Sequence, residues 1–344
     1  MDVTIRGAGV FGLSCAWAMA RRGARVRVVD PAGVGAGASG GIVGALAPHV
    51  PEQWNDKKAF QLDSLLMAAD WWAAVAEIGG GDPGYARIGR LQPIPDAVAL
   101  ERAEARGVEA RTLWRGAATW EVVDAPKDWS PGGDRVIRDT LSARIHPARA
   151  CDALARAIHA LGGTIDTNAT ERGPVLHATG WQGLAEMRDD RGRAAGAPIK
   201  GQAVLLDLDR RDAPQLYLDG LHVVPHGDGT TAIGSTSERE FDHDRPDALA
   251  DHLLDRARAA LPVLADAPVL RHWAGLRPRA RSRAPLMGAW PGRPGHFIAN
   301  GGFKIGFGMA PKVAETIADL ILDGTDRIPE AFRTDTLAPW RAED

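Results

Sequence analysis

Apolar and polar residues follow two rhythms along this chain. Short apolar runs and two-residue alternation predict strands, and recurrence every three to four residues predicts helices. The opening residues form the tightest unit. Val3, Thr4 and Ile5 predict a strand, residues 7–12 a glycine-rich turn, and residues 13–22 a helix with its apolar side inward. Gly23 stops that helix, and the run at 25–29 predicts a second strand that closes on Asp30. Residues 32–48 are too glycine-rich for a helix and too apolar for an exposed linker. A long helix is expected over 55–78, with Phe60, Leu65, Trp72 and Val75 among its core positions. The stretch 85–137 reads as irregular and strand-like, at 85–94, 112–114 and 135–137.

Pro147 opens a helix over 148–161, and Gly162 and Gly163 end it. A strand at 175–178 leads into Thr179 and Gly180. Strands return at 202–208, 222–225 and 230–233, the last two joined by the turn Gly227-Asp228-Gly229. An amphipathic helix over 247–261, a strand at 296–299, a glycine tract at 301–308 and a helix over 309–322 complete the chain. The strand–helix pattern of the N-terminus thus recurs at 148–180 and 296–322, and strand-rich blocks interrupt it. This predicts an α/β fold with a Rossmann-like domain made of separated segments, 1–84, 141–197 and 272–344. A smaller substrate domain with an antiparallel sheet would come from 85–140 and 198–271.

Composition narrows the class. The chain has 344 residues, 45% hydrophobic and 25% charged, which is globular. It carries 40 glycines, above the usual share of roughly 7%. The net charge of −3 argues against a dedicated nucleic-acid binder. Two separated cysteines, Cys15 and Cys151, give no zinc, iron–sulfur or disulfide framework, and a reduced cytoplasmic location is expected. His146, His222, His226 and His243 make no ligand set with the acids, so no metal is expected. No apolar run is long enough to span a membrane. Residues 10–20 lack a basic leader and sit between glycines and Arg21-Arg22, which reads as fold rather than signal.

The chemistry-bearing motifs are glycine-rich. Gly7-x-Gly9-x-x-Gly12 lies between strand and helix, where a pyrophosphate needs backbone N–H donors and no side chain in the way. Gly7 permits the turn, Gly9 the approach of a phosphate, and Gly12 close helix–strand packing. Asp30, 18 positions after Gly12, can accept from a ribose hydroxyl and would repel a 2′-phosphate, which disfavours NADP. FAD and NAD both fit this fingerprint. A second tract, Ala38-Ser39-Gly40-Gly41-Ile42-Val43-Gly44-Ala45-Leu46-Ala47-Pro48, keeps backbone free of bulk where a flat ring would have to come close. Ala178-Thr179-Gly180 is a third. Asn300-Gly301-Gly302-Phe303-Lys304-Ile305-Gly306-Phe307-Gly308 is a fourth, and its helix N-terminus suits negative charge on a reduced flavin. A simple NAD enzyme has no need of this last tract, so the four together favour a flavin.

In this order, and with Gly89-Arg90-Leu91, Pro198-Ile199-Lys200-Gly201-Gln202, Val223–Pro225, Ile233-Gly234-Ser235-Thr236 and Ala274-Gly275-Leu276-Arg277-Pro278, the sequence resembles the D-amino acid oxidase superfamily of FAD-dependent oxidoreductases. Within it, the glycine oxidase-like proteins are the nearest pattern. The resemblance implies extended FAD held by Gly7, Gly9, Val10, Phe11, Gly12, Asp30, Ser39, Gly40, Val43, Gly44, Ala45, Leu46, Thr179, Gly180, Gly302, Phe303, Lys304, Ile305 and Gly306. The backbone near Ala169 is the expected adenine contact. It also implies oxidation of a carbon–nitrogen bond of an amino acid or secondary amine by hydride transfer to flavin N5, followed by imine hydrolysis. Molecular oxygen or another electron acceptor would be the second partner.

Arg277 matches the family arginine that pairs with a substrate carboxylate, and a guanidinium fork would aim the reacting C–H bond. Lys304, in the flavin-edge motif, is the second catalytic candidate. His49, Tyr217 and Arg281 join Arg277 as expected pocket residues. The chain departs from the family where Thr-Pro-Asp often follows the arginine; here Ala280-Arg281-Ser282 stands. Arg277, Arg279, Arg281 and Arg283 alternate and would share one side of an extended segment, as a solvated face or as a rim for an acidic substrate. With only Tyr85 and Tyr217 present, Tyr217 is the sole candidate for an active-site phenol. Two other readings stand beside this one. The Ala-Ser-Gly and Gly-Ala-Leu-x-Pro motifs also resemble the oxidase domain of a bifunctional tRNA wobble-uridine modification enzyme, which acts on a carboxymethylaminomethyl group. The third is a dinucleotide-binding module without catalysis.

Overall fold

The computed structural model describes residues 1–340; the last four residues of the expected segment 272–344 lie outside them. Two large sheets organise the chain. The first has six strands in the order Leu286–Ala289, His296–Asn300, Val175–His177, Asp2–Arg6, Arg25–Val29, Thr164–Asp166. All neighbours in it are parallel except the edge pair Leu286–Ala289 with His296–Asn300. Parallel strands need long crossovers, and helices supply the cover. The helices Val10–Arg21, Asp56–Gly79, Pro147–Ala160 and Gly306–Asp323 pack on one another beside this sheet. Their shared core holds Leu13, Trp17, Leu65, Trp72, Leu154, Met309 and Ile317, each at most 3% exposed.

The helix ends follow from caps. Asn55 accepts the Lys58 N–H at 3.1 Å, and Gly80 ends the same helix at φ +65°. Asp247 accepts the Leu249 N–H at 3.0 Å at the start of Ala248–Ala260. Pro147 occupies the first turn of Pro147–Ala160, where its missing N–H is harmless.

The second sheet has eight strands: Val269–Ala280, Gly196–Leu206, Thr231–Gly234, Leu221–Pro225, Gln215–Leu218, Arg90–Pro93, Arg135–Asp139 and Trp120–Asp124. All its pairs are antiparallel except Gln215–Leu218 with Arg90–Pro93. A separate core forms on it, with Leu216, Val223, Ile233, Leu253 and Leu264. The long ladder between Gly196–Leu206 and Val269–Ala280 pairs Ile199 with Arg277 and Gly201 with Gly275. Among the described residues, no helix is long and apolar enough to cross a membrane.

Three expectations need correction. Residues 112–114 are not strand-like: Thr112 and Leu113 end a helix, Ala97–Leu113, capped by Asp96 at 2.7 Å from the Ala99 N–H. Only Ala103 and Ala110 of that helix are buried, so small residues replace the apolar stripe that periodicity looks for. Trp114 follows as the C-cap and packs edge-on against Trp120 at 6.1 Å. The strand expected at 202–208 runs instead from Gly196 to Leu206, and of its partner Val269–Ala280 only the arginine run from 277 was expected to be extended. Pro198, Gly201, Gly275 and Pro278 look like breakers, but Pro278 is on an edge strand and Pro198 is in the part of Gly196–Leu206 that Thr231–Gly234 does not pair with, where proline is tolerated. That strand runs through residue 272, so the segment boundary expected there falls inside it.

Candidate active site

The glycine turn after Asp2–Arg6 explains itself sterically. Gly7 has φ +105°, and a Cβ there would lie 2.3 Å from the Ala178 carbonyl oxygen. A Cβ on Gly12 would lie 1.9 Å from the Gly7 carbonyl oxygen, so that glycine serves packing and does not reach the cavity wall. Val10–Arg21 starts at Gly9 with no side-chain cap, and the Val10 N–H donates to Ser39 Oγ at 3.0 Å. Asp30 accepts the Ala8 N–H at 2.8 Å and the Ala32 N–H at 3.0 Å, which fixes its carboxylate beside the turn.

A cavity of about 760 Å³ runs along this turn between the two sheets. That volume is within the range of ligand sites. At one end its wall is Arg6, Val29, Asp30, Pro31 and Ala32. The middle is Gly7, Gly9, Val10, Phe11, Ser39, Thr179 and Gly180. The far end is Val43, Gly44, Ala45, Ala203, His222, Ser235, Trp273, Arg277, Gly302, Phe303, Lys304 and Gly306. The structure therefore brings all four glycine tracts to one cavity.

The wall fits FAD on its own features. The N–H-bearing starts of Val10–Arg21 and Gly306–Asp323 both border the cavity without a side-chain cap. Two buried polar atoms of wall residues, Thr179 Oγ1 and His222 Nδ1, have no hydrogen-bond partner in the protein. Trp273 lies against both Gly41 and Gly275: Cβ atoms there would meet its ring at 3.4 Å and 2.4 Å.

Arg277 is 8% exposed, and burial lowers its pKa to about 10, against a raising influence from Glu238. Its guanidinium lies over Gly201 and donates to the Thr236 carbonyl at 3.1 Å. A buried polar network holds that carbonyl. Gln202 N–H donates to Thr236 Oγ1 at 2.8 Å, the Thr236 hydroxyl donates to Glu238, and Gln202 Nε2 donates to Asp247 at 2.7 Å. Lys200, 1% exposed, pairs with Asp247 and stands 3.6 Å from Glu238. Burial, then Arg277, lowers the pKa of Lys304. Burial, reinforced by Arg90, Lys304 and Arg277, pushes His222 down to about 3, so its imidazole is neutral at pH 7.

Several expected residues lie elsewhere. Gly40 is off the wall and spaced by the Gly35 carbonyl oxygen, 2.3 Å from where a Cβ would stand. Leu46 is core, 1% exposed, and Ile305 caps the last helix; neither lines the cavity. Ala169 follows Thr164–Asp166 and does not reach the cavity, because that three-residue strand ends before it. His49 is off the wall, hydrogen-bonded through its ring to the Gln61 side chain. Tyr217 lies beneath the Arg90 guanidinium at 5.6 Å and beside His222 at 4.7 Å, and His222 takes the wall position. Arg281 lies past the strand end and clips Asp189 at 3.0 Å, with further bonds to the Ala194 and Leu337 carbonyls. The arginine alternation stops there because the strand ends at Ala280 and Arg283 turns to φ +59°.

His222, Ser235, Trp273 and Ala203 are wall residues that sequence reasoning missed. The signal was present for two of them. Trp273, Gly275 and Arg277 alternate on one strand face, and His222 shares a face with Val224 of the apolar run 221–225.

A parallel nucleotide sheet, a dinucleotide cavity and a second sheet at its far end define a flavin-dependent oxidoreductase. The family model described as DAO, FAD dependent oxidoreductase, matches residues 2–320, and the chain belongs to that family; its cofactor is FAD. A glycine oxidase from Pseudomonas aeruginosa is 34% identical over a stretch covering 44% of each chain. A glycine oxidase from Geobacillus kaustophilus is 26% identical across 93% of this chain and 92% of its own. The crystal structure of the Geobacillus enzyme aligns with a TM-score of 0.80 over 98% of this chain and 97% of that one, at 20% identity. Iminodiacetate oxidase from Chelativorans sp. BNC1 aligns with a TM-score of 0.81 over 96% and 98%, at 21% identity.

Proposed function

We propose that the protein oxidises the carbon–nitrogen bond of a small amine that carries a carboxylate, an amino acid or an N-substituted amino acid. The observation that carries this reading is Arg277. It is buried at the far end of the cavity, held by the Thr236 carbonyl, and has no carboxylate within ion-pair distance among the described residues. A buried guanidinium of this kind favours a bidentate carboxylate partner. The glycine oxidase names of the relatives support the same substrate class.

Bound FAD supplies a two-electron acceptor for the substrate's α-carbon hydride. The chain's own residues do the rest. Arg277 fixes the carboxylate and so sets which C–H bond faces the cofactor. Arg277 and Lys304 make the pocket cationic, which disfavours an ammonium and favours the neutral amine whose lone pair completes the C=N bond. Neutral His222 adds hydrogen-bonding capacity at Nδ1 without adding charge. Trp273 and Phe303 place ring surface on the wall and limit water. Water then hydrolyses the imine to an oxo acid and an amine. Incubation of the holoenzyme with amino acids and N-substituted amino acids, in oxygen or with an artificial acceptor, should yield an oxo acid and the matching amine. No oxo acid from any carboxylated amine would refute the reading.

A further inference from the structure

We propose that the small cavity beside Phe303, lined by Arg279 and Arg283, is an oxyanion subsite that takes a second carboxylate of the substrate. The proposal rests on the amine-oxidising reading above and narrows its substrate to an amine with two anionic groups.

This cavity measures about 220 Å³ and is bounded by Arg279, Ala280, Arg283, Gly301 and Phe303. Phe303 lines the large cavity as well, so the two spaces meet at that residue. Arg279 and Arg277 are two residues apart on the same strand, so both project from one face, at about 6.6–6.8 Å spacing along the chain. Two arginines on one face of a strand are what a molecule with a carboxylate on each side of a central amine would require.

The charge arrangement points the same way. Arg277, Arg279, Arg283 and Lys304 surround Phe303, and among the described residues none of the four has a carboxylate within ion-pair distance. The Arg279 guanidinium stands 5.7 Å from the Phe303 ring centre and the Lys304 ammonium 5.9 Å. The remaining arginine of the run behaves differently: Arg281 is neutralised by Asp189 at 3.0 Å. The fold therefore supplies an acid for the arginine that faces away and none for those at the cavity. Arg279 is half-buried over the Phe303 ring and Arg283 is exposed, so both guanidinium groups are open to an anion from the cavity.

The site is also built. Gly301, at φ +79°, leaves the cavity open where a Cβ would lie 3.0 Å from the Ala280 Cβ. Arg283 is held in its left-handed conformation by a hydrogen bond from Lys57 Nζ to its carbonyl at 2.7 Å. A carboxylate and a phosphate share the chemistry this pair would recognise, and the anion could belong to the substrate or arrive free.

The test compares the wild-type holoenzyme with the paired variant Arg279→Gln/Arg283→Gln. Thermal melts confirm that the variant is folded. The first readout is the ratio of kcat/KM for iminodiacetate over N-methylglycine. The proposal expects that ratio to fall roughly tenfold or more, the size of a lost charge-assisted contact. A ratio that moves less than twofold overturns it. The second readout is inorganic phosphate, which should raise the KM for iminodiacetate. Phosphate that binds the wild type without altering that KM makes the anion a separate ligand and overturns the substrate assignment. The third is calorimetric binding of malonate, which needs no turnover. Should neither amine be oxidised, the wider panel of carboxylated amines decides the functional reading. Malonate binding that weakens tenfold in the paired variant then still supports the subsite, and equal binding overturns it.

Discussion

A Cβ on Gly201 would lie 2.0 Å from the guanidinium carbon of Arg277. The two residues sit on neighbouring strands, two residues apart in register, and the missing side chain is what lets the guanidinium lie across the sheet toward the cavity. Gly201→Ala should therefore displace the guanidinium while leaving the glycine turn untouched. The expected outcome is a KM for a carboxylated amine raised roughly tenfold or more, the loss of about one charge-assisted contact. The visible spectrum of bound FAD should remain. Unchanged KM would mean the guanidinium does not meet the substrate.

Direct replacement should be stronger and should not be rescued by charge alone. Arg277→Met should lower kcat/KM for carboxylated amines by roughly 10- to 100-fold. Arg277→Lys should recover little, since an ammonium cannot make the planar fork. In the wild type, the lowered pKa of about 10 sets an upper limit: binding of the carboxylate should hold through neutral pH and weaken as pH passes about 10. Steady-state KM across pH 7–10.5 checks this.

Lys200 is 1% exposed, with Glu238 and Asp247 as its acids. Lys200→Met would strand those carboxylates beside the Thr236 carbonyl that orients Arg277. Breaking a fully buried pair costs roughly 3–5 kcal/mol; the cost is smaller here because Asp247 is 32% exposed and screened by solvent. A large drop in melting temperature, with KM rising more than kcat falls, is expected. A variant with unchanged melting and KM would show that the network neither stabilises the sheet nor positions Arg277.

Acid sensitivity should come partly from buried histidines. Burial holds His222 at about 3 and His177 and His226 at about 4, against roughly 6.5 in an unfolded chain. Each is neutral in the folded state and gains a proton on unfolding below that value. Their contribution to stability is full above about 6.5 and is lost as pH falls toward 3–4. Melting temperature should be level from pH 8 to 7 and decline from 6.5 to 4.5. His226→Gln, which can still bond the Ile42 carbonyl that His226 meets at 2.8 Å, should make that decline shallower. An identical slope in the variant would remove His226 from the account.

What could be read from the sequence was local. The turn from Gly7 to Gly12, the acid at Asp30 and the helix starts near 55, 147 and 247 each depend on a few neighbouring residues, so spacing alone exposes them. Val269–Ala280 could not be read that way, because the strand that orders it begins at Gly196 and the ladder tolerates three glycines and two prolines. The helix Ala97–Leu113 escaped for the opposite reason: its buried positions are alanines, and no apolar stripe marks it. The residues expected at the pocket but placed off its wall share one feature. His49, Tyr217 and Arg281 are each claimed by a partner distant in sequence, Gln61, Arg90 and Asp189, and such pairings appear only once the chain is folded.

The central claim is that bound FAD takes electrons from an amine anchored by its carboxylate at Arg277. Anaerobic mixing of the holoenzyme with a panel of amino acids and N-substituted amines tests it most directly, read as loss of the visible flavin absorbance in a single turnover. The account predicts bleaching by at least one carboxylated amine, none by the matching amine without the carboxylate, and a requirement for at least roughly tenfold more substrate in Arg277→Met. Bleaching that is indifferent to the carboxylate, or absent for every amine in the panel, would contradict it.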